Sequence, residues 1–252
     1  MVSSGVPGQW LAKPARGGER GRLAAMTADL IAVLGNSPGV GKSTLCAALA
    51  GWLRDAGVVV DHFEEAEILT RTAFAAVAEE FDDGAGSVRP RTLVEATRTY
   101  VEQARTHGVD VVVADALLPF IPSLVAWGHD ETAITGVVRA LEAAVAPTRV
   151  IVVYLRDAPE IALRRAIVRE GEEWERWYVD KLGRLPGTRA VHDLASAARH
   201  LRGESDLTLR VLAASRWDVV VVDVGGRDSD WTSTYVRGEL RGLLGAAPGA
   251  QL

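Results

Sequence analysis

The segment LGNSPGVGKST, from Leu34 to Thr44, has the residue types and spacing of a loop that binds phosphate groups. Its glycines allow successive backbone N–H groups to point into one concavity, and the helix predicted after it presents its positive end to the same place. In this pattern Lys42 reaches the β- and γ-phosphates of a nucleoside triphosphate, and Ser43 binds Mg²⁺. The predicted nucleotide-binding residues are Asn36, Ser37, Pro38, Gly39, Val40, Gly41, Lys42, Ser43 and Thr44.

One residue of this loop departs from the usual pattern, which has glycine six positions before the lysine. Asn36 occupies that position, and Gly35 comes one residue earlier. Because asparagine tolerates positive φ better than other non-glycine residues, we expect the loop to close with Asn36 in place. A glycine-rich turn that only joins a strand to a helix is the structural alternative, which the complete GKST sequence disfavours. Because Asn36 departs from the pattern, a fold that keeps nucleotide binding but has lost catalysis is a further alternative.

Two arginines near the middle of the chain have the spacing needed to bind a phosphate chain. Arg165 and Arg169 are four residues apart on a predicted helix, so both guanidinium groups lie on one face. Phosphoryl transfer requires positive charge of this kind around the γ-phosphate. The alternative is a solvated helix on which Glu170 and its acidic neighbours pair with the arginines.

Carboxylates that follow valine runs are candidates for proton transfer and metal binding. We predict that Asp61 accepts the proton of an acceptor hydroxyl, with Glu64 as the second candidate. Asp115 ends another valine run, and we predict that it binds Mg²⁺ together with Ser43. The structural alternative for Asp61 and Glu64 is to cap a helix that begins near Glu64.

These residues must be positioned by a regular alternation of strands and helices. Five apolar runs predict buried parallel strands: Leu30–Leu34, Val58–Val60, Val109–Ala114, Arg149–Leu155 and Trp217–Val224. Helical patterns lie between them: Ser43–Ala56, Glu64–Phe81, Pro90–Thr106, Asp130–Ala146, Ala158–Leu182 and Arg189–Arg202. We therefore predict a three-layer α/β/α sandwich around a five-stranded, mostly parallel sheet. Such sheets bind ligands at the carboxyl ends of their strands.

Composition and charge exclude several classes of protein. The net charge of −5 argues against sequence-independent binding to nucleic acid, and no apolar run approaches the length of a membrane span. With Cys46 as the single cysteine, no intrachain disulfide can form, which favours a cytoplasmic location. We predict one domain over residues 29–244, with flexible extensions at 1–28 and 245–252, and Met26 as an alternative start.

Sequence motifs narrow the class of nucleotide-binding protein. The N-K-x-D motif of GTPases and the LSGGQ-like signature of transporter ATPases are both absent from the sequence. The segment Val150–Leu182, VIVVYLRDAPEIALRRAIVREGEEWERWYVDKL, resembles the strand and lid of the deoxynucleoside kinases, which belong to the P-loop nucleoside and nucleotide kinases. Asp61-His62-Phe63 looks closer to the uridine-kinase-like enzymes. The resemblance covers about 30 residues plus the phosphate loop.

The resemblance implies an ATP- and Mg²⁺-dependent kinase with a helical lid at about residues 157–182. It also implies that Gly225, Gly226 and Arg227 lie near the adenine, although a purely structural turn is an alternative. The expected partner is a small-molecule acceptor, and we expect no binding to nucleic acid or to a membrane. The sequence leaves open whether the chain forms a homodimer. The acceptor is a nucleoside, a nucleotide, or another hydroxylated metabolite or antibiotic. A nucleotide-dependent switch or chaperone-like ATPase that acts on a protein partner remains the alternative function.

Overall fold

The computed structural model describes residues 29–82, 86–115 and 118–244, so the predictions for 1–28 and 245–252 lie outside the described residues. Its strands are β1 (Asp29–Gly35), β2 (Val60–Phe63), β3 (Val111–Asp115), β4 (Val150–Arg156) and β5 (Asp218–Asp223). Its helices are α1 (Lys42–Asp55), α2 (Ala75–Glu80), α3 (Pro90–Thr106), α4 (Ile121–Ala126), α5 (Glu131–Val145), α6 (Pro159–Glu170), α7 (Glu172–Arg184), α8 (Leu194–Ala213) and α9 (Ser229–Leu244). Within these ranges, no helix is both long and apolar enough to span a membrane.

The strands form one sheet in the order β2-β3-β1-β4-β5, and every neighbouring pair is parallel. β1 lies at the centre and pairs with β3 on one side and β4 on the other. Its position explains why the run Leu30–Leu34 is apolar throughout, since helices cover both faces of a central parallel strand. The predicted α/β/α sandwich is confirmed.

Two apolar cores lie on opposite faces of this sheet. Leu30, Ala32 and Leu34 of β1 pack in the core formed with α3, α5 and α8. Ile31 and Val33, which alternate with them, pack in the core formed with α1 and α9. The phosphate loop leads into α1. Side chains of the sheet that face α1, such as Ile31 and Val33, therefore lie on the same side of the sheet as this helix.

The edge strands β2 and β5 differ from the prediction. β2 runs from Val60 to Phe63 rather than over Val58–Val60, and Val59 is 53% exposed. On β5, Val221 is 41% exposed. An edge strand has a neighbour on one side only and less helix cover, so the expectation that all five runs are buried on both faces was wrong for these two.

Two predicted helices are interrupted. The pattern over Glu64–Phe81 forms two short 3₁₀ turns, Glu65–Leu69 and Thr72–Phe74, followed by α2. The pattern over Ala158–Leu182 forms α6 and α7, which Gly171 separates with φ +96°. A third core joins these two helices to α8, with Leu163, Tyr178 and Leu201 among its buried residues.

Candidate functional site

The phosphate loop lies at the carboxyl end of the central strand, between β1 and α1. Gly39 and Gly41 have φ of +78° and +102°, a backbone conformation that favours glycine. Gly41 precedes α1, and no side chain of the described residues caps the helix there. The N-terminal N–H groups of this helix are therefore available to bind phosphate oxygens.

Two glycines of the loop are required by close packing. A Cβ atom on Gly35 would lie 2.3 Å from Val40 Cγ1 and 3.0 Å from Lys42 Cγ, so the loop folds back over Gly35. A Cβ atom on Gly39 would lie 2.3 Å from the carbonyl oxygen of Ala162 on α6. The loop is thus packed directly against the first helix of the predicted lid.

Asn36 closes the loop by a different route from the one expected. Among the described non-glycine residues, only Phe120 has a positive φ, so the argument from the φ tolerance of asparagine was wrong. Instead the buried amide of Asn36 binds the backbone of Asp157. Nδ2 donates to the Asp157 carbonyl at 2.7 Å, and Oδ1 accepts from the Asp157 N–H at 3.3 Å.

Asp157 in turn holds the first lid arginine. Its buried carboxylate accepts a hydrogen bond from Arg165 Nη2, and its Oδ1 atom accepts one from the Ala158 N–H at 2.7 Å. Arg169 lies one turn further along α6, is exposed, and donates to Glu170 at 2.7 Å. The structure thus places Arg165 beside the phosphate loop and pairs Arg169 with a neighbouring glutamate.

A cavity lies beside the phosphate loop. Its walls come from the loop, from the start of α1, from α6 and from the segment after β5. They consist of Gly39, Val40, Gly41, Thr44, Leu45, Arg165, Val224, Arg227, Asp228, Ser229 and Thr232. Arg227 contributes to the wall, and its guanidinium lies 4.6 Å from the centre of the Trp231 ring. Gly225 and Gly226 adjoin this segment.

Ser43 and Asp115, the predicted metal ligands, lie in contact. Ser43 Oγ donates to Asp115 Oδ2 at 2.5 Å. Asp115 is 3% exposed, and its buried Oδ1 atom has no hydrogen-bond partner among the residues that the structure describes. A buried carboxylate oxygen without a partner is costly unless a ligand binds it. Two oxygen donors of this kind fit Mg²⁺, which usually completes its shell with waters and substrate phosphates.

Asp61 lies in an ion-pair network on the other face of the sheet. Arg71 binds its carboxylate through two hydrogen bonds, of 2.7 and 2.9 Å, and the Tyr100 hydroxyl on α3 donates to it at 2.8 Å. Arg71 also donates to Glu67 at 3.0 Å and packs over the rings of Phe63 and Tyr100. The carboxylate of Asp61 therefore accepts three hydrogen bonds within the protein.

This network sets the ionisation of Asp61. Burial by itself raises the pKa of Asp61, but hydrogen bonds from Arg71 and Tyr100 outweigh it and hold the pKa below its ordinary value of 3.8. A carboxyl whose pKa is lower in the folded than in the unfolded state stabilises the fold above the unfolded value. That contribution is lost as the pH falls through the folded value.

Asp61→Asn is therefore expected to lower the free energy of unfolding by about 1 to 3 kcal/mol at neutral pH, because it removes charged hydrogen bonds. The difference from the parent chain should shrink as the pH falls below 3.8. Urea unfolding at several pH values measures both effects. Asp55→Asn, at the exposed end of α1, is the control. A difference that is constant down to about pH 2 would contradict this account.

Glu64, the second candidate base, directly follows β2 at the carboxyl edge of the sheet. Phe63, the last residue of β2, pairs with Ala114, so Glu64 comes directly after β2 and Asp115 is the last residue of β3, both at the carboxyl edge of the sheet. Glu64 is exposed, and its backbone is extended, with φ −88° and ψ 145°. It is also the N-cap residue of the 3₁₀ turn Glu65–Leu69, as the structural alternative expected, and its N–H donates to Glu67 Oε2 at 2.9 Å. Asp61 pairs with Val112, three residues before Asp115.

Other residues that the sequence singled out have mainly structural surroundings. Trp174 stacks on Tyr178 at 4.8 Å between ring centres in the core of the lid helices, whereas Trp177 is 54% exposed. The sequence did not indicate Asp157 as a member of the site, nor Arg71 and Tyr100 as the partners of Asp61. For Asp157, the one available signal was the asparagine at a glycine position.

Known proteins were compared with this chain in sequence and in structure. No protein family model matches the sequence, and no curated protein matches it. A solved structure of thymidylate kinase from Candida albicans is similar, with 13% sequence identity over 85% of this chain and 92% of that chain, and a TM-score of 0.45. The parallel sheet and the loop between β1 and α1 themselves fit the P-loop kinase fold.

Proposed function

We propose that this chain is a phosphotransferase that moves the γ-phosphoryl group of ATP to a hydroxyl or phosphate group of a small molecule. The observation that carries the proposal is the contact of Ser43 with Asp115 next to a glycine-rich loop whose N–H groups are available. A loop that only joined a strand to a helix would need no buried carboxylate with an unpartnered oxygen beside it.

The chain supplies separate groups for each part of the nucleotide. The N–H groups from Asn36 to Thr44 and the ammonium of Lys42 would bind the phosphates. Arg165 lines the cavity next to Gly39 and would neutralise charge on the phosphate chain. Arg227 and Thr232, which also line the cavity, would contact the nucleoside.

Ser43 and Asp115 would hold Mg²⁺. When bound, the ion would neutralise charge that develops on the phosphate oxygens. The described residues contain no group of three or more His, Cys, Asp or Glu side chains that could hold a metal ion. The remaining ligands would therefore come from water and from the nucleotide, as is usual for Mg²⁺ at phosphate sites.

For the proton acceptor we favour Glu64 over Asp61. Val111 and Val113 of β3 pack in the core on the α1 side, and Asp115 contacts Ser43 on that same side. Phe63 packs in the opposite core, and extended backbone alternates, so the Glu64 side chain would leave the sheet on the α1 side. Asp61 is directed toward α3 and has a lowered pKa, which makes it a weak base.

The proposed reaction is a single displacement at the γ-phosphorus. The acceptor oxygen forms a bond to the γ-phosphorus while the bond from that phosphorus to the β–γ bridging oxygen breaks. Glu64 takes the proton of the acceptor hydroxyl. The products are ADP and the phosphorylated acceptor.

The test measures ADP formation from Mg·ATP alone and with nucleosides, nucleoside monophosphates, sugars and aminoglycosides. One class of acceptor should raise the rate of ADP formation. The amount of phosphorylated acceptor should equal the amount of ADP formed. With that acceptor, Glu64→Gln should lower kcat by about 10²- to 10⁴-fold, whereas Asp61→Asn should change it by less than about tenfold. A strong loss with Asp61→Asn alone would overturn the assignment of the base. Stimulation only by a protein would instead indicate the switch or chaperone-like ATPase.

A further inference from the structure

Asn36, the residue that departs from the phosphate-loop pattern, connects the loop to the lid. We propose that Asn36 is a positioning residue that, through Asp157, holds Arg165 in place for the bound nucleotide. This inference rests on the proposed function, because it assigns a role to Arg165 in binding ATP.

The first step of the connection joins two segments of backbone. Asn36 is 5% exposed, and its amide both donates to and accepts from the backbone of Asp157, at 2.7 and 3.3 Å. The Asn36 N–H also donates to the Leu155 carbonyl at 3.1 Å. A glycine at position 36 would keep this last bond and lose the first two, since both come from the side chain.

The second step joins Asp157 to the lid arginine. The Asp157 side chain is 2% exposed, and Arg165 binds it through Nη2 only. Separating a buried carboxylate from its partner is strongly unfavourable, so this pair should persist when nucleotide binds. In the described part of the chain, no protein group accepts from Nε or Nη1 of Arg165, so these donors remain for the nucleotide.

The third step concerns the position of Arg165 at the cavity. Asp157 lies close to three segments of the chain whose residues line the cavity. Asn36 belongs to the phosphate loop, Arg165 belongs to α6, and a Cβ atom on Gly225 after β5 would lie 3.4 Å from Asp157 Oδ1. Fixing the Asp157 backbone therefore fixes the carboxylate that orients Arg165, and a fixed arginine loses less conformational entropy on binding.

The test uses Asn36→Gly, which restores the usual loop pattern, and Asn36→Ala, which removes the amide without adding glycine freedom. Neither replacement changes the charge of the site. Each is combined with Arg165→Gln, and the Kd of Mg·ATP is measured by calorimetry. Arg164→Gln, which removes the same charge from the preceding exposed residue, is the matched control.

In the parent chain, Arg165→Gln should weaken Mg·ATP binding by about tenfold. In either Asn36 variant the same change should cost less than about threefold, because the backbone that carries the Asp157 carboxylate, and with it the paired Arg165, is no longer fixed. Arg164→Gln should have an equally small effect in every background. Thermal unfolding identifies the variants that are folded, and either Asn36 variant suffices for the test.

A full tenfold effect of Arg165→Gln in both Asn36 variants would overturn the inference and leave the proposed function intact. A purely structural role of Asn36 would give this result, because replacing Asn36 would then lower stability without changing how much Arg165 contributes to Mg·ATP binding. If the parent chain binds no Mg·ATP, the proposed function is overturned, and this inference with it.

Discussion

Replacing Lys42 with alanine is expected to lower kcat/KM for ATP turnover by at least about 10³-fold and to weaken Mg·ATP binding. Lys42 begins α1, and its aliphatic stem lies over Gly35, which fixes its path out of the loop. In the described part of the chain its ammonium forms no salt bridge, so it is available to the phosphates. No other lysine or arginine side chain belongs to the loop, so another cation could not replace it without rearrangement.

The chain offers a matched control for this prediction. Its lysines are Lys13, Lys42 and Lys181, and Lys181 lies on α7 with its ammonium 4.9 Å from the centre of the Trp177 ring. Lys181→Ala removes the same charge from the lid surface and should change ATP affinity by less than about twofold. Calorimetry and initial rates measure both variants. Unchanged ATP affinity and turnover in Lys42→Ala would show that the loop does not bind triphosphate.

Replacing Asp115 with asparagine is expected to lower the rate at a fixed Mg²⁺ concentration by about 10²-fold and to raise the Mg²⁺ concentration needed for half-maximal rate. The amide oxygen of the new side chain can keep the contact with Ser43, so the packing around β3 should survive. The carboxylate charge and the unpartnered Oδ1 atom are lost. Initial rates over a range of Mg²⁺ concentrations separate weaker metal binding from a lower maximal rate.

The control for Asp115 comes from the opposite end of the same strand. Asp110 precedes β3, and its carboxylate accepts a hydrogen bond from the Val59 N–H at 2.9 Å. Asp110→Asn should leave the Mg²⁺ dependence unchanged and lower stability by about 1 kcal/mol or less. An Asp115→Asn variant with the parent Mg²⁺ dependence would exclude this carboxylate as a metal ligand.

The sequence by itself determined the parts of this protein that depend on local pattern. A central strand with helices on both faces is apolar at every position, so β1, β3 and β4 were predictable to within two residues at each end. The glycine-rich loop between β1 and α1 was predictable because its glycines, Lys42 and Ser43 are contiguous, and contiguous residues keep their relative placement. The meeting of Ser43 with Asp115 followed from the rule that parallel strands end at one edge of the sheet.

The tertiary structure alone decided which side chains pair across long separations. Asn36 and Asp157 are 121 residues apart, and Asp61 and Tyr100 are 39 apart. Only the folded chain showed that β2 is an edge strand and that Asp61 is directed toward α3, away from the side of the phosphate loop. Periodicity reveals which face of a strand or helix is buried but not what packs against it. A hydrogen bond requires two atoms within about 3 Å, a condition that only the packing of distant segments can satisfy.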